Sequence, residues 1–346
     1  MTERKGAGES MGSKAFCGEV WTNVHPEIMA AMAACNQEAV DGKVGNDGFT
    51  KRAEAYMKAE FEKEVFINFT YNGTAANILA LKSMLKPWGS VLSADCTHIN
   101  TYECGATEYM LGNKILTLPS EDGKLSPTMI EEYLQKIKNF KYLPEVLVVT
   151  QPTELGVLYT NEELKALCDY AHSKKMFVYL DGARITNALA ALETDLHSMI
   201  EETGIDAFSF GGTKAGLCFG EMVVFLREEF AENMAYSQKQ SLQHMDKSKF
   251  LGVQFEYLLK TGLWKKNANH ANGLAKELEK KLSEKGLSAY YPVDTNMVFC
   301  SVTPAQYGRI TAHYDLHYWE EEKGLLRFCT THETTQELID HLASLV

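Results

Sequence analysis

Two glycine-flanked segments hold residues able to do covalent chemistry. Asp181 and Arg184 follow an apolar run in VYLDGARI, and Lys214 follows another in FSFGGTKAG. In a parallel α/β sheet, ligands gather at the C-terminal ends of strands. An amine beside Gly211, Gly212 and Gly216 has room for a bulky group. A carboxylate at a neighbouring strand end can hold a protonated ring nitrogen. A Schiff-base lysine with an acid on the pyridinium is the requirement of pyridoxal phosphate (PLP) chemistry, in which the cationic ring accepts electrons from a carbanion. Two more segments fit the pair. Gly73 and Thr74, in NGTAAN ahead of an apolar stretch, offer N–H groups and a hydroxyl to a phosphate at a helix start. His98, in THIN, is placed to stack on an aromatic ring. Each has a plainer reading when taken singly: a strand-end aspartate, a solvated lysine, a threonine cap, a hydrogen-bonded loop histidine.

Other chemistries lack their residues. There is no GxGxxG after a strand, no GxxxxGK[ST], no GxSxG and no HExxH. His313 and His317 are spaced to share a helix face, as zinc ligands can, but their Tyr/Trp-rich surroundings read better as packing, and no metal is expected.

The elements that must position these residues follow from apolar patterning. Near-continuous apolar runs at Val91–Ser93, Val146–Val149, Phe177–Leu180, Ala207–Phe210 and Met222–Leu226 read as strands covered on both faces. Between them, Ser126 to Lys138 opens with Pro127 at the first helical position, and Asn161 to Lys174 opens with an Asn cap and acidic residues. Strand–helix–strand alternation implies βαβ units and a mainly parallel sheet. The last third changes character. One long helix is expected from about Phe250 to Lys285, then strands Asn296–Val302 and Leu325–Cys329, then a helix from Thr335 to Leu345.

Composition sets the outer limits. The chain has 346 residues, 45% hydrophobic, long enough to bury a core without disulfides. With 34 Lys+Arg against 46 Asp+Glu the net charge is −12, which disfavours a nucleic-acid partner. The 8 cysteines lie scattered in apolar segments with no CxxC, as in a cytoplasmic protein with reduced thiols. The first 15 residues are polar and lack an apolar signal region, so they read as a frayed tail, and no apolar run is long enough for a membrane span.

The order NGTAAN, HIN…ECGA, LDGARI, FGGTKAG, LLRFCTTHETT resembles the low-specificity L-threonine aldolase family, PLP enzymes of fold type I, from about Phe16 to the C-terminus. The resemblance implies an α/β, PLP-dependent transferase-like large domain with a mostly parallel sheet, plus a small C-terminal α+β domain. The expected division is a tail over 1–15, a PLP-binding domain over 16–248 whose N-terminal segment is a candidate to pack on the small domain, and a linking helix with the small domain over 249–346. It further implies that Lys214 is the Schiff-base lysine, that Asp181 pairs with the ring nitrogen and that His98 stacks on the ring. Gly73 and Thr74 would bind the phosphate, with Thr213 also touching the cofactor. Arg184 would serve the ring hydroxyl or the substrate carboxylate, Arg327 the substrate carboxylate, and Glu103 and Glu154 proton handling or water positioning.

The departures concern the substrate. Gly18 stands where the family has a carboxylate-binding Ser, Val44 where it has Tyr, and Lys239–Leu242 lacks the Arg that reaches a neighbouring subunit's phosphate. Some relatives carry a His in the loop that here reads Gln151–Glu154. The expected activity is cleavage of a β-hydroxy-α-amino acid, L-threonine or a relative with a bulkier side chain, to glycine and an aldehyde, by a homodimer or homotetramer. The alternatives are a PLP-dependent lyase, racemase or decarboxylase acting on another amino acid, and a weakly active PLP-binding homologue.

Overall fold

The computed structural model describes residues 10–39, 41–43, 45–139 and 142–346. Val44 and residues 1–9 of the expected tail lie outside them. Seven strands form the central sheet: β1 (Phe66–Thr70), β2 (Ser90–Ala94), β3 (Lys114–Leu118), β4 (Pro144–Thr150), β5 (Phe177–Asp181), β6 (Ala207–Gly211) and β7 (Glu221–Phe225). Their order is β1-β7-β6-β5-β4-β2-β3. The neighbours from β6 through β5, β4 and β2 to β3 are parallel, and β7 runs antiparallel to both β1 and β6. The mostly parallel sheet agrees with the sequence reading. The unforeseen strands of this sheet, β1 and β3, are its two edges, where burial is incomplete and the apolar runs are mixed (burial falls away at Phe66, Ile67 and Lys114).

Side chains alternate across the sheet. Val178 and Leu180 join Leu164 and Leu167 in the cluster on one face. Tyr179 joins Ala76, Leu79 and Ala80 on the other. Those three belong to α1 (Gly73–Met84), and the two leucines to α2 (Asn161–Ser173). The cap of α2 is Thr160 rather than Asn161, because Thr160 and Glu163 close a reciprocal capping box.

The expected single long helix is two: α3 (Lys249–Lys260) and α4 (Leu263–Glu284). Gly262, at φ 65°, adopts the left-handed conformation that stops α3 and starts α4. Beyond α4, β8 (Met297–Ser301), β9 (Tyr318–Glu320) and β10 (Leu325–Cys329) form an antiparallel sheet in the order β8-β10-β9. Phe16 is buried in the cluster that holds Leu278, Leu282, Phe328 and Leu342. Ser13 and Lys14 are tied down as well: the Asp315 N–H donates to the Ser13 carbonyl at 2.7 Å, and Lys14 pairs with the Asp315 carboxylate.

Candidate functional site

The parallel strands end on one edge of the sheet, and the candidate residues follow those ends. β1 leads into Gly73, β2 into His98, β4 into Glu154, β5 ends on Asp181, and β6 leads into the Thr213–Ala215 turn that carries Lys214. Because β7 runs the other way, its first residue, Glu221, lies opposite Gly211 on the same edge. A cavity of about 490 Å³ opens there, lined by Gly18, His98, Glu154, Arg184, Lys214 and Arg327 among others. Asp181 and Glu103 do not line it; they are buried near its wall. Gly73 and Thr74 stand apart from it, half-buried at the N-terminus of α1.

Asp181 is 4% exposed. One oxygen accepts the Ala183 N–H at 3.0 Å and the other accepts from Asn77 Nδ2 at 3.0 Å. Burial raises its pKa, with the Glu154 charge adding to the rise, while the Ala183 N–H and Lys214 oppose it. Asn77 Nδ2 also donates to Glu103 Oε1 at 2.7 Å, and the same oxygen meets His98 Nδ1 at 2.8 Å. Burial alone would lower the His98 pKa, but the Glu103 hydrogen bond and the charges of Glu154 and Asp181 outweigh it, and the value rises. The second Glu103 oxygen is buried without a partner.

Arg184 is held by Glu19. Nε donates to one carboxylate oxygen at 2.7 Å and a terminal nitrogen to the other at 3.1 Å, leaving the third nitrogen 3.8 Å from Glu154. Burial would raise the Glu19 carboxyl, yet the Arg184 charge and hydrogen bonds hold it well below its ordinary value. Arg327 lies on β10 with its guanidinium 4.8 Å from the Trp319 ring centre, and donates to the Cys17 carbonyl at 3.2 Å. Gly18 sits beside it at φ 137°. The Thr213 hydroxyl accepts the Gly220 N–H at 3.0 Å, so it braces the Lys214 turn. Glu221 accepts the Gly212 N–H at 2.8 Å behind that turn, and burial pushes its carboxyl up to about 7.

The zinc spacing at His313 and His317 comes to nothing. The preceding helix ends at Thr311; His313 packs on His341 and His317 faces Asp315. Among the described residues no group of three or more His, Cys, Asp or Glu is arranged to hold a metal. No helix of the described chain is long and apolar enough to cross a membrane. Four residues that sequence reasoning passed over shape the site: Glu19, Asn77, Tyr179 and Trp319. Asn77 closes the NGTAAN segment and so had a signal in its position; the partners of Glu19 lie far away in sequence and left none.

The geometry suits a cationic ring with an anionic tail. Asp181 and Glu103 are buried carboxylates sharing one amide donor, and Asp181 has no ion-pair partner within bonding distance among the described residues. A buried carboxylate in that position calls for a cation. At the start of α1 the Asn72 side chain takes the Ala75 N–H at 2.9 Å, which leaves the Gly73 and Thr74 N–H groups as the donors suited to a phosphate, and a Cβ placed on Gly73 would meet nothing within 4 Å.

The chain is similar to known proteins over most of its length. A model of the beta-eliminating lyase family matches residues 20–305. A low specificity L-threonine aldolase of a Pseudomonas species is 36% identical over 84% of this chain and 85% of its own length. One from Pseudomonas aeruginosa is 33% identical over 95% of each chain. A solved structure of Leishmania major threonine aldolase superposes with a TM-score of 0.90 at 28% identity, covering 96% of this chain and 98% of that one. With the strand-end site and the near-complete coverage together, the chain belongs to the beta-eliminating lyase family, in the group of the low specificity L-threonine aldolases.

Proposed function

We propose that this protein binds PLP and cleaves the Cα–Cβ bond of a β-hydroxy-α-amino acid, L-threonine or a relative, releasing glycine and an aldehyde. The observation that carries the reading is a buried carboxylate with no ion-pair partner at bonding distance among the described residues, Asp181, at the strand end next to the one that presents Lys214. Lys214 would hold the cofactor covalently and yield it to the substrate amine. Asp181 would hold the ring nitrogen protonated, and Gly73 and Thr74 the phosphate. When bound, PLP supplies an electron sink for the carbanion left at Cα.

The chain's own groups do the rest. Arg327 would take the substrate carboxylate in a two-pronged grip, which orients the scissile bond. Glu103 faces His98 Nδ1 at 2.8 Å, so that nitrogen would carry a proton toward the carboxylate, and His98 lines the cavity. His98 and Glu154 are then the groups placed to take and return the β-hydroxyl proton. Arg184, committed to Glu19 through two nitrogens, is assigned to shaping the cavity wall, with its third nitrogen directed to Glu154. A β-substituent bulkier than the methyl of threonine is the expected preference, because Gly18 brings no side chain to the cavity it lines.

A second reading keeps PLP and changes the bond broken, and it is motivated by Gly18, which brings no hydroxyl to the carboxylate. The working unit is assigned as a homodimer or homotetramer, since Trp21 and Tyr102 on the cavity rim are 58% and 54% exposed. A cytoplasmic location suits the eight free thiols.

Product analysis decides between the readings. The PLP-loaded protein is given L-threonine and a panel of β-hydroxy amino acids, with Lys214→Ala as the blank. Glycine and the matching aldehyde are expected, lost together with the cofactor's visible band in Lys214→Ala. A band without glycine from any substrate would transfer the assignment to the second reading.

A further inference from the structure

Asn77 lies one helical turn beyond Gly73 on α1, on the same face, with its side chain 2% exposed as a residue. Its Nδ2 donates to both buried carboxylates, Glu103 at 2.7 Å and Asp181 at 3.0 Å. Its Oδ1 accepts the Tyr179 hydroxyl at 2.8 Å. Tyr179 precedes Asp181 by two residues on β5, so both point to the α1 side of the sheet. This leaves the amide one acceptable orientation. Turned over, it would set its carbonyl oxygen against two carboxylates and its NH2 against the tyrosine. The amide thus joins two groups with different tasks: Asp181, and, through Glu103 Oε1, His98 Nδ1 at 2.8 Å.

We propose that Asn77 is a positioning residue whose amide, locked by Tyr179, holds Asp181 and Glu103 in fixed register, so that the acid for the ring nitrogen and the histidine beside the ring act as one hydrogen-bonded unit. The proposal rests on the PLP reading for Asp181. Two like charges in one buried site repel, and each is disfavoured by desolvation. The shared NH2 is the donor both face, and the second Glu103 oxygen has none. Removing it frees Glu103 to swing away from His98, and leaves Asp181 held by the Ala183 N–H alone and so less well aimed at a ring cation. The same helix turn therefore serves the phosphate at Gly73 and Thr74 and the ring nitrogen through Asn77.

Two readouts besides turnover test this on the full chain. The first is the NMR titration of His98 in cofactor-free protein, where Glu103, Glu154 and Asp181 favour its charged form, Arg184, Lys214 and Arg327 line the same cavity, and the Tyr102 ring is stacked beside it at 5.6 Å. The second is PLP affinity, read from absorbance. Tyr179→Phe, which removes one hydroxyl from a packed ring, is expected to lower the His98 midpoint and weaken PLP binding about tenfold, the worth of one hydrogen bond to a charged network. Asn77→Ala should move both readouts further in the same direction. A role in packing alone would leave the His98 midpoint where it was. An unchanged midpoint in folded Tyr179→Phe overturns the lock, and an unchanged midpoint in folded Asn77→Ala overturns the whole proposal. If Asn77→Ala fails to fold, Tyr179→Phe decides alone. A parent protein that does not bind PLP overturns the functional reading instead, while the histidine titration still reports on the amide.

Discussion

Glu19 and Arg184, 165 positions apart in the chain, face each other in a two-point ion pair, with both side chains under one-tenth exposed. The pair joins the N-terminal segment to the helix start beyond β5, and Asn296 adds a third bond to the carboxylate at 2.8 Å.

Glu19→Gln leaves the Arg184 charge buried with Glu154, at 3.8 Å, as its remaining ion-pair partner among the described residues. A broken buried pair costs about 3–5 kcal/mol, and urea unfolding should register a loss of that order. The pH sense follows from the depressed Glu19 carboxyl. Its contribution is complete above its ordinary value of 4.5 and is lost as pH falls below it, so wild type and Glu19→Gln should converge in acid. A loss too small to measure at neutral pH would show that the pair does not hold the segment.

Restoring a serine at position 18 should not restore a simple carboxylate ligand. Gly18 has φ 137°, open to glycine and strained for any side chain, although the space itself is adequate: an added Cβ would lie 3.6 Å from Arg327. Gly18→Ser is expected to destabilise by about 1–3 kcal/mol and to raise KM as the segment shifts against Arg327. An unaltered melting temperature would remove the strain argument.

Trp319 is the platform under Arg327, and Tyr102 packs 5.7 Å from the same indole. Trp319→Ala removes a cation–π contact and one wall of the cavity. KM should rise about three- to fivefold for every substrate through the loosened guanidinium. A phenylserine-like substrate should lose more in kcat/KM than L-threonine. Equal losses for both would mean that the indole positions Arg327 without touching the β-substituent.

Glu221 supplies a pH test with the opposite sign. Its carboxyl is raised from 4.5 to about 7, so the folded state favours the protonated form. The stability this lends is complete below pH 4.5 and is lost as pH rises through about 7, a change of about 3 kcal/mol for a fully buried group. Glu221→Gln keeps an acceptor for Gly212 and carries no charge. It should melt higher than wild type at pH 8 and no higher at pH 5. The same difference at both values would contradict the buried titration.

Much of the fold was legible because its signals are local. Runs such as Val146–Val149 are apolar on both faces because their strands are covered by helices on both sides, and that leaves a mark in any ten-residue window. The edge strands β1 and β3 escaped since burial there is partial, and Gly262 was read through although it breaks the helix.

The site divides along the same line. The sequence by itself determined which residues stand at strand ends: Asp181, Arg184 and Lys214 each follow an apolar run, and chain direction in a parallel sheet sends all such ends to one edge. Tertiary structure decided the partners. Arg184 reads as a free guanidinium until folding brings Glu19 against it, and Asn77 reads as the end of a helix cap until β5, 104 positions later, sets Asp181 beside it. The physical reason is range. Burial and turn preference act within a few residues, whereas a hydrogen bond forms wherever strand order delivers a donor to an acceptor, and that order is a property of the whole sheet.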